Sequence, residues 1–428
     1  MRFKVFKNTV LIFALVAISC GSKTNTKVVL NDVFPQHVES DKIITEDKSI
    51  VVGANRTEQY LQLLNKKRIG IVANQTSVIF KRIVNTSSKS HNDASHQHIV
   101  DSLLSLKVNV KKVFAPEHGF RGTADAGELV KDGIDTQTNL PIVSLYGKNK
   151  KPSVKQLEGL DIVIFDIQDV GARFYTYISS LHYVMEACAE QNIQVLILDR
   201  PNPNGHYIDG PILELEHKSF VGMHPVPIVH AMTIGEYAQM INGERWLNNG
   251  VKCDLKIIPV KNYTHQTDYS LPIKPSPNLP NDRAINLYPS LCFFEGTNVS
   301  IGRGTNKQFQ VVGSPFFNLS EHDFQFSPKP NEGAKYPKHK GELCNGYDLS
   351  QHKKLNALNL SWLIEFYSAN KVSAPNEKFF NAFFTKLAGT KKLQQQIEAG
   401  LSEVEIREGW KKDLEAYKIK RSTYLLYK

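Results

Sequence analysis

Short runs of β-branched and large apolar residues, separated by segments with helical spacing, constrain this chain more than any other feature. Ile69–Asn74, Val108–Ala115, Asp161–Asp166, Gln194–Asp199 and Leu255–Val260 are apolar over most of their length. Strands buried on both faces read this way, and they pair in parallel sheets covered by helices. The segments between them supply those helices: Glu58–Lys67 with a stripe of Tyr60, Leu61, Leu63 and Leu64, His98–Leu106, and a long one from about Thr176 to Asn192. Thr233-Ile234-Gly235-Glu236 has the form of a capping box opening another, to about Leu247. The alternation predicts an α/β fold, a Rossmann-like, mostly parallel sheet over residues 55–275.

Beyond residue 275 the character changes. Lys274-Pro275-Ser276-Pro277-Asn278-Leu279-Pro280-Asn281 is too proline-dense for a helix or a central strand. Aromatic and glycine-rich pieces follow, then helical spacing over Phe379–Leu387 and Leu393–Ile397. Ser402-Glu403-Val404-Glu405 is a further capping box, ahead of Trp410. Residues 276–428 are expected to form a smaller α+β domain of ordinary size.

At the other end, Arg2, Lys4 and Lys7 precede the apolar run Val10–Ile18, which is too short to span a bilayer and has the form of an export leader. Ala17-Ile18-Ser19-Cys20-Gly21 resembles a bacterial lipoprotein signal, with Ala17 where a lipobox usually carries Leu. Residues 1–19 are expected to be a signal peptide and Cys20 the lipid-bearing residue. Residues 20–54 then form a polar linker that holds the protein at the cell envelope, on the periplasmic side. The alternative is an ordinary secretory leader with an incidental cysteine.

Several function classes lose their support. No G-x-G-x-x-G follows the first strand and no G-x-x-x-x-G-K-[ST] occurs, so no nucleotide cofactor is expected. A serine hydrolase on such a sheet would want G-x-S-x-G, which is absent. No metal is expected, because His96/His98 and His224/His230 lack ligand partners at useful spacing and H-E-x-x-H is missing. Cys188, Cys253, Cys292 and Cys344 match no zinc pattern. Export would allow Cys292 to pair with Cys344, though spacing does not fix connectivity. The formal charge of +10 includes the three leader cations, leaving about +7 spread along the chain. Without a basic, aromatic-interleaved stripe, nucleic acid is not an expected partner. Attraction to anionic wall material or a membrane surface fits the charge as well.

Chemistry gathers instead at the strand ends, where parallel sheets bind their ligands. The second strand runs into Phe114-Ala115-Pro116-Glu117-His118-Gly119-Phe120-Arg121-Gly122, an acid, a histidine and an arginine on a glycine-punctuated loop. The third runs into Asp166-Ile167-Gln168-Asp169-Val170-Gly171-Ala172-Arg173-Phe174-Tyr175-Thr176-Tyr177, the fourth into Asp199-Arg200-Pro201-Asn202-Pro203-Asn204-Gly205, and the first into Asn74-Gln75-Thr76-Ser77. Carboxyl groups beside buried strands can have the raised pKa that a general acid needs, which makes Glu117, Asp166 and Asp169 catalytic candidates. The plainer readings are a helix-capping Glu117 in a solvated turn and a structural Asp166–Arg173 ion pair.

These motifs, with Pro275-Ser276-Pro277-Asn278-Leu279-Pro280 and Phe294-Glu295-Gly296-Thr297 followed by Gly302-Arg303-Gly304-Thr305, resemble the NamZ-type exo-β-N-acetylmuramidases. The likeness runs in order from about residue 55 to the C-terminus. It implies an active-site cleft between the Rossmann-like domain and the smaller one, with Glu117 as the prime catalytic residue. It also implies release of N-acetylmuramic acid from the non-reducing ends of peptidoglycan fragments during cell-wall turnover. Disaccharides or muropeptides would then be the partners.

Glycoside hydrolysis commonly uses one carboxyl group that protonates the leaving oxygen and a second group opposite it. Glu117 suits the first role, with His118 orienting it or touching a sugar hydroxyl. The second stays open among Asp166, Asp169, Glu295 and the substrate's own acetamido group. The lactyl carboxylate of muramic acid calls for a cation, and Arg121, Arg173, Arg200 and Arg303 each offer a bidentate fork. Tyr175, Tyr177 and Phe294 are candidates to stack on the sugar unless they are core, and Asn202 and Asn278 to bind its polar groups. Two alternatives stand beside the enzyme: a non-catalytic muropeptide-binding lipoprotein, and a NAD-dependent glycosidase for which the glycine fingerprint is missing.

Overall fold

The computed structural model describes residues 48–81, 95–121, 132–317 and 324–427. The leader, Cys20 and Gly122 fall outside them. From Lys48 onward the chain forms one compact unit. In chain order its first strands are β1 (Ile69–Ala73), β2 (Val78–Phe80), β3 (His96–His98), β4 (Val110–Ala115), β5 (Gly133–Ile134), β6 (Pro141–Ser144), β7 (Ile162–Asp166), β8 (Gln194–Leu198) and β9 (Leu255–Ile258). Seven of them make one sheet in the order β5-β6-β4-β1-β7-β8-β9, while β2 and β3 form a separate antiparallel pair. Every neighbouring pair in the large sheet is parallel except β5 with β6. Setting β5 aside, this is the 3-2-1-4-5-6 order of the doubly wound fold, and the direction of growth reverses between β1 and β7. The crevice at such a reversal lies beyond the carboxyl ends of the strands. The registers Val72↔Phe114 and Ala73↔Asp166 bring β1, β4 and β7 out at a common edge.

The strands are buried on both faces, as their sequences require. Ile69, Ile71 and Ala73 of β1 enter one core with Val113, Ile164 and Leu198, whereas Val72 enters the other with Phe114, Phe165 and Ile197. Helix α1 (Ile99–Ser105) contributes Ile99, Val100 and Leu103 to the first. After the short α2 (Val154–Leu157) come α3 (Tyr177–Glu190) and α4 (Ile234–Gly243), whose apolar residues join the second. The expected capping box opens α4, with Thr233 and Glu236 reciprocally bonded. Glu58–Lys67 does not form the expected helix. Tyr60 is fully buried with its hydroxyl on the Ala54 carbonyl (2.8 Å) and its backbone at φ −129°, which breaks the segment into two 3-10 turns, Thr57–Gln59 and Leu61–Leu64.

The C-terminal part begins with α5 (Asp282–Leu291), capped by Asn281. A small antiparallel sheet follows, of β10 (Val311–Ser314), β11 (Phe324–Phe326) and β12 (Cys344–Asp348) with β12 central. The helices α6 (Ser361–Ser373), α7 (Ala382–Ala388), α8 (Lys392–Glu398), α9 (Glu403–Glu408) and α10 (Lys411–Ser422) complete it. The second core runs without a break from Val72 in the sheet to Tyr417 in α10. No helix among the described residues is long and apolar enough to cross a membrane.

Two buried carboxylates lock the sheet's polar edge. Asp166, fully buried at the end of β7, takes Arg200 Nε at 2.6 Å and Nη2 at 2.9 Å, and Nη2 also meets the Val78 carbonyl (3.0 Å). Asp199, just past β8, binds Thr233 Oγ1 (2.7 Å), Gly235 N (2.8 Å) and Tyr427 Oη (2.6 Å), and burial pushes its pKa up to about 6.

Arg200→Met keeps much of the side chain's length and leaves the Asp166 carboxyl without its partner. Urea titration should show a loss of about 3–5 kcal/mol of unfolding free energy. That loss should deepen as pH rises. An unpaired buried carboxyl keeps its proton when folded and releases it when unfolded, so above the ordinary carboxylate pKa the unfolded state binds fewer protons. A loss under about 1 kcal/mol, the scale of an exposed pair, would show that water reaches Asp166.

Candidate active site

The loop after β4 turns back on itself through two successive left-handed residues, His118 at φ 70° and Gly119 at φ 78°. That conformation costs glycine nothing and is uncommon for other residues, so the turn is enforced by its surroundings. It brings Glu117 under two hydroxyl donors. Tyr146 Oη donates to Glu117 Oε1 at 3.1 Å and Thr176 Oγ1 to Oε2 at 2.8 Å. The Glu117 carbonyl accepts from Tyr177 Oη at 3.4 Å, and Tyr177 in turn accepts from Asn74 Nδ2 at 2.8 Å. Residues following β6 and β7 thus meet at the carboxyl group, and Asn74, following β1, braces the Glu117 backbone through Tyr177. Burial and the charge of Glu117 push the Tyr146 pKa up, which keeps its phenol protonated and donating.

Glu117 opens on a cavity of about 680 Å³, within the range of small-molecule sites. His118, Tyr146, Tyr175 and Thr176 line it on the sheet side, Asn278 lines it from the proline-dense segment before α5, and Glu295, Arg303 and Lys338 reach it from the C-terminal part. Arg303 sits on a turn between Gly302 (φ 75°) and Gly304 (φ 80°) and places Nε and Nη2 at 2.9 and 2.5 Å from Glu295 Oε1. Lys338 donates to the carbonyls of Phe294 and Val299, each at 3.0 Å, and to that of Thr297. Its ammonium therefore clamps the chain that carries Glu295, and burial draws its pKa down to about 8.

The other expected site residues divide by position. Tyr175 lines the cavity with its hydroxyl on the Pro275 carbonyl (2.9 Å). Asn278 lines it too, donating to the Gly333 carbonyl (2.7 Å). Asp166, Asp169, Arg121, Arg173, Arg200 and Asn202 are not part of the wall. Asp169 is buried and bonded to Gly171 N (2.7 Å), and desolvation raises its pKa to about 7. Arg121 pairs with Asp101 (3.2 Å) and Asp135 (2.8 Å). Asn202 braces its own turn, accepting from Asn204 N (2.8 Å) and donating to the Met232 carbonyl (3.0 Å). The expected Asp166–Arg173 ion pair does not form, because Arg173 points into a nest of backbone carbonyls and Arg200 takes the Asp166 carboxylate instead. Tyr177 and Phe294 are core residues, buried against Tyr175 and Phe366. Cys188, Cys253, Cys292 and Cys344 are all buried free thiols, so Cys292 and Cys344 are not bridged.

Several wall residues carry little signal in the sequence, Tyr146, Thr176 and Lys338 among them. Tyr146 follows β6, whose run Pro141-Ile142-Val143-Ser144 is short and opens on proline. The signal was there, a polar residue just past an apolar run, as at the other strand ends. Thr176 lay inside a quoted motif but was passed over for its charged and aromatic neighbours. Nothing local marks Lys338, whose role depends on carbonyls about forty residues earlier in the chain.

Comparison with known proteins identifies the family and the fold. The family model described as "Exo-beta-N-acetylmuramidase NamZ, N-terminal" matches residues 69–283, and its C-terminal counterpart matches residues 286–427. The chain is 38% identical over 384 residues to the peptidoglycan beta-N-acetylmuramidase NamZ of Bacillus subtilis, covering 86% of this chain and 89% of that protein. A crystal structure of a DUF1343 family protein from Bacteroides fragilis, 47% identical, superposes with a TM-score of 0.77 over 89% of this chain and 99% of the other. A second DUF1343 protein of that organism, 27% identical, gives 0.74 over the same shares. With both halves matched in order and the E-H-G glutamate on the cavity wall, the chain belongs to the NamZ exo-β-N-acetylmuramidase family.

Proposed function

We propose that this protein is an exo-acting glycoside hydrolase that releases N-acetylmuramic acid from the non-reducing ends of peptidoglycan fragments. The observation that carries the reading is Glu117, held between Tyr146 and Thr176 on a wall that also presents Glu295 and Arg303. Glu117 donates its proton to the leaving oxygen as the glycosidic bond breaks. Among the described residues Glu295 is the other carboxylate on the wall, and it and the substrate's acetamido oxygen are suited to the opposite face of the sugar ring. Of the five N–H donors of Arg303, Glu295 engages those on Nε and Nη2. The guanidinium thereby stays fixed on the wall as a partner for the lactyl carboxylate. The cavity itself is the pocket into which a single terminal sugar fits.

We also propose export and lipid attachment at Cys20, which lies outside the described residues. The basic start, the apolar run Val10–Ile18 and the small residues around Cys20 support it. A lipid anchor followed by a polar linker would keep the enzyme at the envelope, where its substrate arises.

Three outcomes follow from this reading. Glu117→Gln should keep binding a muropeptide disaccharide while kcat falls by about 10²–10⁴, the usual share of a general acid. Undiminished turnover would remove Glu117 from the chemistry, and a wild type that binds but never cleaves would favour the non-catalytic alternative. Arg303→Ala should cost about 1.5–3 kcal/mol in transition-state stabilisation with N-acetylmuramyl substrates, the worth of a charged hydrogen bond. With N-acetylglucosaminyl analogues, which lack the carboxylate, the cost should be smaller, and equal costs on both would argue against carboxylate recognition. Finally, Cys20→Ala should move the protein from the membrane fraction to the soluble one on cell fractionation, and unchanged partitioning would mean that Cys20 is not the anchor.

A further inference from the structure

Most of the cavity wall is buried, yet Tyr336 lines it and is 93% exposed. The backbone that carries it is nonetheless fixed on both sides. Asn331 and Ala334 exchange a pair of backbone hydrogen bonds at 3.1 Å, and Asn331 Nδ2 holds the Thr305 carbonyl at 3.0 Å. The Gly333 carbonyl is held by Asn278, itself on the wall, and Ala334 is buried. On the far side Pro337 packs so closely on Gly304 that a Cβ at that glycine would lie 2.7 Å from the ring. Lys338 is sunk into its carbonyls, and His339 Nε2 lies 2.6 Å from the Asn298 carbonyl. The pair Lys335-Tyr336 is therefore displayed from a rigid strap that is tied to the Arg303 turn.

A large ring kept in water on a fixed backbone is a ready contact. Its apolar face gains by being covered, and little backbone freedom remains to be lost when that happens. Exo cleavage, on the functional reading above, places one terminal sugar in the cavity beside Glu117. The rest of the fragment must then leave through the open side, where Tyr336 stands. We propose that Tyr336 is the platform on which the leaving-side sugar stacks, the residue whose oxygen receives the Glu117 proton and which becomes the new end of the fragment. The apolar C–H face of a pyranose and an aromatic ring make a flat, weakly directional contact that tolerates whatever extends beyond it. Tyr336 would thus favour substrates carrying a sugar on that side without limiting their length.

The test separates the leaving group from the terminal sugar. Wild-type protein and Tyr336→Ala are assayed on N-acetylmuramyl-N-acetylglucosamine and on β-N-acetylmuramyl fluoride, whose leaving group is a single atom. Tyr336→Ala should raise KM for the disaccharide about fivefold more than for the fluoride, as expected when some tens of Å² of apolar surface stay wet. Tyr336→Phe should restore the wild-type ratio. An equal rise on both compounds would place Tyr336 against the terminal sugar and overturn the proposal, as would no rise on either. Failure of the wild type to cleave both compounds would count against the functional reading alone. In that case calorimetry decides, since Tyr336→Ala must weaken binding of the disaccharide more than binding of N-acetylmuramic acid, and equal weakening overturns the stacking role.

Discussion

Arg173 ties the sheet to the C-terminal helices through a contact that is neither an ion pair nor an apolar one. Its fully buried guanidinium donates from Nη1 to the carbonyls of Pro211 (2.8 Å) and Val226 (2.7 Å), and from Nη2 to those of Leu387 (3.0 Å) and Ala388 (2.7 Å). The last two end α7, where carbonyls lack helical partners and the helix dipole is negative. The cation serves as that helix's cap, and Gly389 leaves room for it by turning away at φ 74°. Burial lowers the Arg173 pKa to about 9, which still leaves it charged at neutral pH. Tyr175 and Thr176 lie two and three residues further along the chain. A contact made for packing thereby fixes the loop that supplies one of the two hydroxyls on Glu117.

Those hydroxyls suit the acid role proposed for Glu117. A hydroxyl can donate to a carboxylate and, after rotating, accept from a carboxylic acid, so Tyr146 and Thr176 can serve Glu117 in both protonation states. A lysine or arginine in their place would serve only the charged one. Arg303 and Lys338 sit instead on the C-terminal side, around Glu295, and Lys335 lines the same side. The two sides of the cavity thus differ in what surrounds their carboxyl groups, hydroxyl donors at Glu117 and cations at Glu295.

The alternation of apolar runs and helical spacing was enough to read the parallel sheet, because a strand buried on both faces leaves an unmistakable pattern. The loops at the strand ends could be read for the same reason, since polarity there has no role in the core. Glu117 and Tyr175 are legible this way, whereas Asn278, Glu295 and Arg303 stand out only through motifs shared with the family, and all five line the cavity. What the sequence concealed was pairing. Asp166 and Arg173 share a loop, but local spacing cannot show that Arg200, from the next strand's end, has the better reach. Short elements such as β6, and the antiparallel strands β10 to β12, carry too few residues for periodicity to register. Phe294 and Tyr177 were ambiguous in sequence because an aromatic beside a motif looks the same whether it faces a ligand or the core.

Asp199 and Tyr427 are 228 positions apart, yet they meet at 2.6 Å beside the end of β8. The sheet whose end loops carry Glu117 and its two hydroxyl donors therefore owes part of its polar edge to residues met very late in the chain. Contacts of that sequence separation close the largest loops and are slow to find. The sheet's own parallel pairings close shorter loops, as from β1 to β4 and from β7 to β8, and its polar edge is complete only when that distant tyrosine is in place. Until it docks, Asp199 is an incompletely satisfied carboxyl in a tightening core, and a chain that stalls there has its strands in register and its active-site edge unfinished.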